Sequence, residues 1–139
     1  MAQDAKAFTL IELLVVLIIV GILVGLAIPT YTKTREKAID KEAQTALRLI
    51  QVAEKIYNMK QAYYYPASPG SPESNITAVN QKLQLDLSEQ SWDYSVLGTG
   101  ATPATDFTAA ATRTRGAGNA TWNITKDTEP SCTGPGCIP

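Results

Sequence analysis

Residues 8–29 read FTLIELLVVLIIVGILVGLAIP, and the rest of the chain has to be fitted around them. From Leu13 to Ile28 there are sixteen residues without a charged or strongly polar side chain. Counted from Phe8 the run has 21 residues; at a rise of about 1.5 Å per residue this is a helix of roughly 31 Å, close to the ~30 Å hydrocarbon thickness of a bilayer. The segment is expected to be a helix able to span a membrane. Its single charge is Glu12. An ionised carboxylate one turn inside the hydrocarbon edge costs a few kcal/mol and calls for a partner. It is also out of place in the core of a cleaved secretory signal, whose usual length this run exceeds.

Working outward, the run is preceded by the short polar stretch MAQDAKA and ends at Pro29. Gly21 and Gly25 form a GxxxG spacing, which lets helix backbones approach closely where hydrophobicity alone cannot drive association, and which is also tolerated in ordinary apolar helices. Pro29 removes a backbone donor and clashes with the preceding turn, so Gly21, Gly25 and Pro29 mark where a bend or local unwinding is expected.

A short polar leader, an aromatic residue, Glu four residues after it, an apolar run and a proline at its end together resemble the N-terminus of type IV pilins and of the pseudopilins of type II secretion systems. The resemblance implies that residues 1–7 are a leader removed by a prepilin peptidase between Ala7 and Phe8, and that the new amine of Phe8 is methylated. Ala7 departs from the glycine usual before the cut but remains small. Residues 8–29 are then a transmembrane helix that becomes a filament core, and residues 30–139 a globular head. Phe8 and Glu12 lie one helical turn apart, so a small axial stagger between subunits brings one chain's carboxylate beside the next chain's amine and sets the assembly register. The bland alternative is a Glu12 that only snorkels to the membrane interface.

Beyond Pro29 the pattern becomes one-sided. Ile39, Ala43, Ala46, Ile50, Ala53 and Tyr57 form a helical stripe, with Lys41, Glu42, Gln44, Arg48, Gln51, Glu54 and Lys55 read as the soluble face. A single helix from Phe8 to about Ala62 would run roughly 82 Å, so its apolar half is expected to protrude from any head the remaining residues can build. Tyr63, Tyr64, Tyr65 and Pro66 close it, and residues 67–75 read as an exposed loop. Strands are expected at 91–97, 106–115 and 120–126, while Leu83, Leu85 and Leu87 fit either an edge strand or a docked loop. Trp92, Tyr94, Phe107 and Trp122 are expected to be core aromatics covering the amphipathic half-helix. The fold class is α+β, a long N-terminal helix with its second half on a small antiparallel sheet of three to four strands, similar to the usual pilin head.

Composition narrows the function. The 139 residues suit one compact head, and 12 basic against 13 acidic residues give no electrostatic reason to expect a nucleic-acid partner. Histidine is absent, which removes the commonest neutral-pH general base and metal ligand. No phosphate-cradling glycine loop, nucleophile elbow or paired catalytic carboxylates stand out, so neither catalytic residues, cofactor nor metal site are expected and an enzyme is the weakest reading. Asp127 and Glu129 could contribute to a calcium site of the kind some major pseudopilins carry, but such a pair is ordinarily solvent-facing. Asn75, Asn119 and Asn123 each head an Asn-X-Thr triplet, a pattern frequent by chance here. Cys132 and Cys137 flank a turn-rich Thr-Gly-Pro-Gly spacer that favours a small disulfide loop, with two free thiols as the alternative; a bridge would place the head outside the cytoplasm. Lys33, Arg35 and Lys37 follow the apolar run but are diluted by Glu36 and Asp40, so their positive-inside bias does not override that orientation.

These readings converge on a subunit of a type IV pilus, inserted in a bacterial inner membrane, cleaved before Phe8 and polymerised as a homo-oligomeric helical filament at the cell surface by the pilus machinery. A pseudopilin of a secretion or competence system shares the same signal, and a monomeric membrane-anchored binding module is the alternative of a different class.

Overall fold

The computed structural model describes residues 8–114 and 119–137, with the side chains of residues 26–30 excepted. One helix, α1, runs over Leu10–Gln61, and it is shared by two compact units, Met1–Ala38 and Ile39–Pro139.

In the second unit, α1 presents the expected stripe. Ala43, Ala46, Ile50 and Ala53 are buried, Ile39 and Tyr57 pack against the same core, and Leu47, which lies between two stripe positions, is fully buried as well. The helix ends at Ala62, whose φ of 65° is left-handed and whose N–H still reaches the Asn58 carbonyl at 2.7 Å. The chain then enters the tyrosine-rich turn, where Tyr64 and Ala104 are joined backbone to backbone at 3.0 Å.

A second helix, α2, occupies Ile76–Leu83 and was not foreseen. Asn75 caps it, its Oδ1 accepting the N–H groups of Thr77 and Ala78 at 3.0 and 3.3 Å. Leu83 is thus the buried last residue of a helix and not part of a strand. Leu85 and Leu87 belong to the docked loop, pinned where the Asn80 side chain donates to the Leu87 carbonyl and accepts its N–H.

The sheet is an antiparallel meander in the order β1 (Trp92–Thr99), β2 (Asp106–Arg113), β3 (Thr121–Thr125) and β4 (Ser131–Thr133). Three strands match the expected positions; the three-residue β4 lies in the tail, where no periodicity was legible. Alternation puts Trp92, Tyr94 and Val96 of β1 and Phe107, Ala109 and Ala111 of β2 into the core. The alanines of β2 share that core with the alanines of α1. Trp92 is fully buried and donates its indole N–H to the Ile39 carbonyl at 2.9 Å. Arg113 lies 5.7 Å from the Trp92 ring centroid and 3.9 Å from the buried Asp40 carboxylate. Trp122, expected in the core, is only partly buried, opposite Cys132 in the β3–β4 register.

Two side chains read as solvent-facing serve other ends. Gln51 donates its amide to the carbonyls of Thr125, Lys126 and Thr128 at 2.7, 3.3 and 3.0 Å, so it fastens the turn after β3 to α1. Glu54 is fully buried: one oxygen accepts the Tyr65 N–H at 2.9 Å, and Oε1 has no hydrogen-bond partner. The sequence stripe missed it because the Tyr65 N–H that draws it inward is eleven residues further on.

Burial pushes the Glu54 carboxyl up to about 7, against the lowering effect of the Tyr65 N–H. The titratable groups facing it are Tyr57 on α1 and Tyr65 in the following turn. Burial, followed by their neighbours, raises both hydroxyls, Tyr57 to about 12, so they remain neutral where Glu54 titrates. The folded carboxyl lies above its unfolded value of 4.5. Its contribution to stability is therefore complete below pH 4.5 and lost as pH rises through about 7. Denaturant unfolding should show stability falling by up to about 3 kcal/mol from acid to mildly alkaline pH. Glu54→Gln should flatten that dependence and leave the variant the more stable protein at the alkaline end.

Candidate assembly site

The first turn of α1 explains where the helix begins. Thr9 precedes it and Glu12 stands three residues on, and the two cap each other. The Thr9 hydroxyl accepts the Glu12 N–H at 3.3 Å, while the Glu12 carboxylate accepts the Thr9 N–H at 3.0 Å and the Thr9 hydroxyl at 2.7 Å. This reciprocal arrangement satisfies donors that have no partner within a helix, and it sets a negative charge against the positive end of the helix dipole. Sequence reasoning missed this role, although the signal was present as Thr-x-x-Glu ahead of an apolar run.

After that turn α1 has no polar side. From Phe8 to Val24 all fourteen large apolar side chains are 47–83% exposed. Burying one such side chain fully contributes about 1.5–3 kcal/mol. Covering half of this surface would release on the order of 10 kcal/mol, comparable to the 5–15 kcal/mol that typically holds a domain folded. Phe8, Ile11, Glu12, Val15 and Val16 line a shallow hollow of about 370 Å³, which brings the two expected assembly residues, Phe8 and Glu12, to one place. At Gly21 and Gly25 an added Cβ would meet nothing within 4 Å, so inside a single chain neither position demands glycine.

The other expected sites fall as follows. Ala7 lies outside the described residues, as does the side chain of Pro29, and α1 is helical through Gly21, Gly25 and Pro29. The apolar part of α1 within the described side chains, from Leu10 to Gly25, is sixteen residues or roughly 24 Å. Among the described residues no helix is long and apolar enough to cross a membrane. The expected span over 8–29 thus depends on residues 26–29, whose side chains lie outside them.

Cys132 and Cys137 form the disulfide, with Cα atoms 5.8 Å apart. Its loop turns at Gly134, φ 109°, where a Cβ would run into the Asn119 carbonyl. Glu129 pairs with Arg48 at 2.8 Å, both exposed, and among the described residues no group of three acidic or cysteine side chains could hold a metal ion. Of the three sequon asparagines, Asn75 caps α2, Asn123 lies in β3 within 3.4 Å of the Thr133 hydroxyl, and Asn119 is exposed.

The capping pair can be tested apart from assembly. Thr9→Ala should cost about 1 kcal/mol of local helix stability, seen as faster amide exchange over residues 10–13 with the exchange of the core strands unchanged.

No curated protein and no solved structure matches the chain. A family model described as the prokaryotic N-terminal methylation motif matches residues 3–28, the same segment that carries the capping pair, the hollow and the uncovered apolar surface. The chain therefore carries, at residues 3–28, the N-terminal signal of type IV pilins and pseudopilins, a signal that implies processing by a prepilin peptidase and handling by an assembly machinery.

Proposed function

We propose that the protein is the structural subunit of a type IV pilus. It enters the bacterial inner membrane as a precursor with its head outside the cytoplasm, loses residues 1–7, and polymerises through its N-terminal helix. The observation that carries this reading is the exposed, polar-free surface from Phe8 to Val24, interrupted only by the Thr9–Glu12 cap. Lipid covers it before assembly and identical helices cover it afterwards.

Cleavage before Phe8 creates an amine one turn from Glu12. In a filament the carboxylate passes from its own cap to a neighbour's Phe8 amine, because a charge in a water-poor bundle must be paired. The two helix interiors then approach where Gly21 and Gly25 leave open space. No catalytic group enters this reading, and the head supplies the outer surface of the fibre.

In cells that possess the maturation machinery, mass spectrometry should find a mature chain starting at methylated Phe8. Glu12→Ala should abolish filaments while leaving the subunit in the membrane with a folded, disulfide-bonded head. Filaments of ordinary length and number from Glu12→Ala would refute the assembly role. An unprocessed chain still bearing Met1 would refute the precursor route.

A further inference from the structure

The head's portion of α1 buries one stripe and leaves a second one bare. Leu49, Val52, Ile56 and Met59, spaced 3, 4 and 3 residues apart, lie 43–77% exposed. They share one side of the helix, away from Ala43, Leu47 and Ile50. Charge is segregated along the same side. The exposed charged residues of α1 between positions 41 and 60 are Lys41, Arg48, Lys55 and Lys60 against Glu42 alone, in a chain whose net charge is −1. Arg48 is engaged by Glu129, and Lys41 shares a hollow with Glu42 and Asp86, so the basic character of this face lies towards Lys55 and Lys60. At the Ile56 end the charge is also shaped: Lys60 of α1 and Lys82 of α2 border a hollow of about 140 Å³ whose apolar lining includes Ala53, Ile56 and Leu83.

We infer that this face is a docking surface for an anionic phospholipid bilayer, used by the subunit before it assembles. An apolar stripe edged by lysines is the pattern of helices that lie in a membrane interface, the apolar side chains entering the acyl boundary and the lysines meeting phosphates. Lys60 and Lys82 hold the headgroup phosphate at the mouth of the hollow, and Ile56 and Met59 meet the lipid beside it. A second copy's apolar segment would cover the stripe equally well but carries one carboxylate, Glu12, and gives the lysines little to bind. The inference rests on the reading of the chain as a membrane-anchored precursor, which keeps the head beside a bilayer, and it requires α1 to bend near Pro29, where the sequence favours a bend, so that this face meets the surface.

The test uses the full chain with Val52→Cys carrying an environment-sensitive fluorophore, Cys132 and Cys137 being held in their disulfide. It is reconstituted at low protein-to-lipid ratio into phosphatidylcholine vesicles, with and without phosphatidylglycerol. Emission should shift to the blue only with phosphatidylglycerol, and the shift should vanish at high salt. Each lysine near an anionic surface contributes about a fivefold preference, so Lys60→Gln with Lys82→Gln should lower the docked-to-free ratio about 25-fold. Lys126→Gln, at the end of β3, should leave the shift intact. Emission unaffected by phosphatidylglycerol, in vesicles with which the chain still co-floats, overturns this inference alone. A blue shift in either lipid that grows with protein-to-lipid ratio overturns it in favour of contact between copies. Failure to co-float with either vesicle overturns the anchored-precursor reading as well.

Discussion

The structure depends on an apolar surface that its own chain does not cover. Between Phe8 and Val24 the side chains are large, hydrocarbon and exposed around the whole circumference of the helix. A globular protein resolves such a surplus by folding a sheet or a second helix over it. Here the sequence that follows builds a separate unit instead, beginning at Ile39, and that unit satisfies itself. In the function proposed above, what covers the segment is lipid or other molecules of the same kind. The capping pair fits this requirement. It removes the unpaired donors at the one end of the helix where water would otherwise be needed, and places the only charge of the segment where the helix dipole stabilises it.

The head answers the opposite problem. A unit of about a hundred residues has little apolar surface to bury, so its core relies on a few large anchors. Alanines on α1 and β2 meet in one cluster, and Trp92, Phe107, Leu47 and Ile50 fill what they leave. Polar groups are drawn in only where they fix a connection. The Trp92 indole ties the sheet to the first turn of the buried stripe, and Glu54 ties the end of α1 to the tyrosine-rich turn. Gln51 and Arg48 hold the segment between β3 and β4 against the helix. The disulfide closes only a small loop beyond them, so it shapes the surface locally and leaves the larger framework to these contacts.

What was legible in the sequence follows from the range of the forces involved. The stripe Ile39, Ala43, Ala46, Ile50, Ala53, Tyr57 and the three longer strands were readable because burial imposes a period on consecutive residues. Glu54 was misread because its burial depends on a backbone N–H in another segment, which no local period records. The helix α2 was missed because two turns are too few to establish a pattern, although its cap, Asn75, stood in view as a supposed sequon. Strand β4 is three residues long and is recruited by pairing with β3 rather than by its own pattern. At the N-terminus the Thr9–Glu12 box was fully local and its signal was present, but the demand for a partner to Glu12 drew attention to another chain before its own first turn.

In the proposed assembly these two roles of Glu12 are successive and do not compete. In the single chain the carboxylate accepts two hydrogen bonds, from the Thr9 N–H and the Thr9 hydroxyl. In that reading, removing the leader places a cation beside a carboxylate whose partners in the single chain are neutral. The carboxylate's bonds to Thr9 are already charge-assisted; what the amine adds is an opposite charge, and a buried carboxylate without one is costly, so the exchange from cap to amine is favourable once water is excluded. In the proposed route processing and assembly are coupled through one side chain: the uncut precursor holds its acid in a closed local circuit, and the cut that frees Phe8 supplies the group that opens it. On this argument the same residue that starts the helix in a solitary subunit sets the register of the helix among its copies.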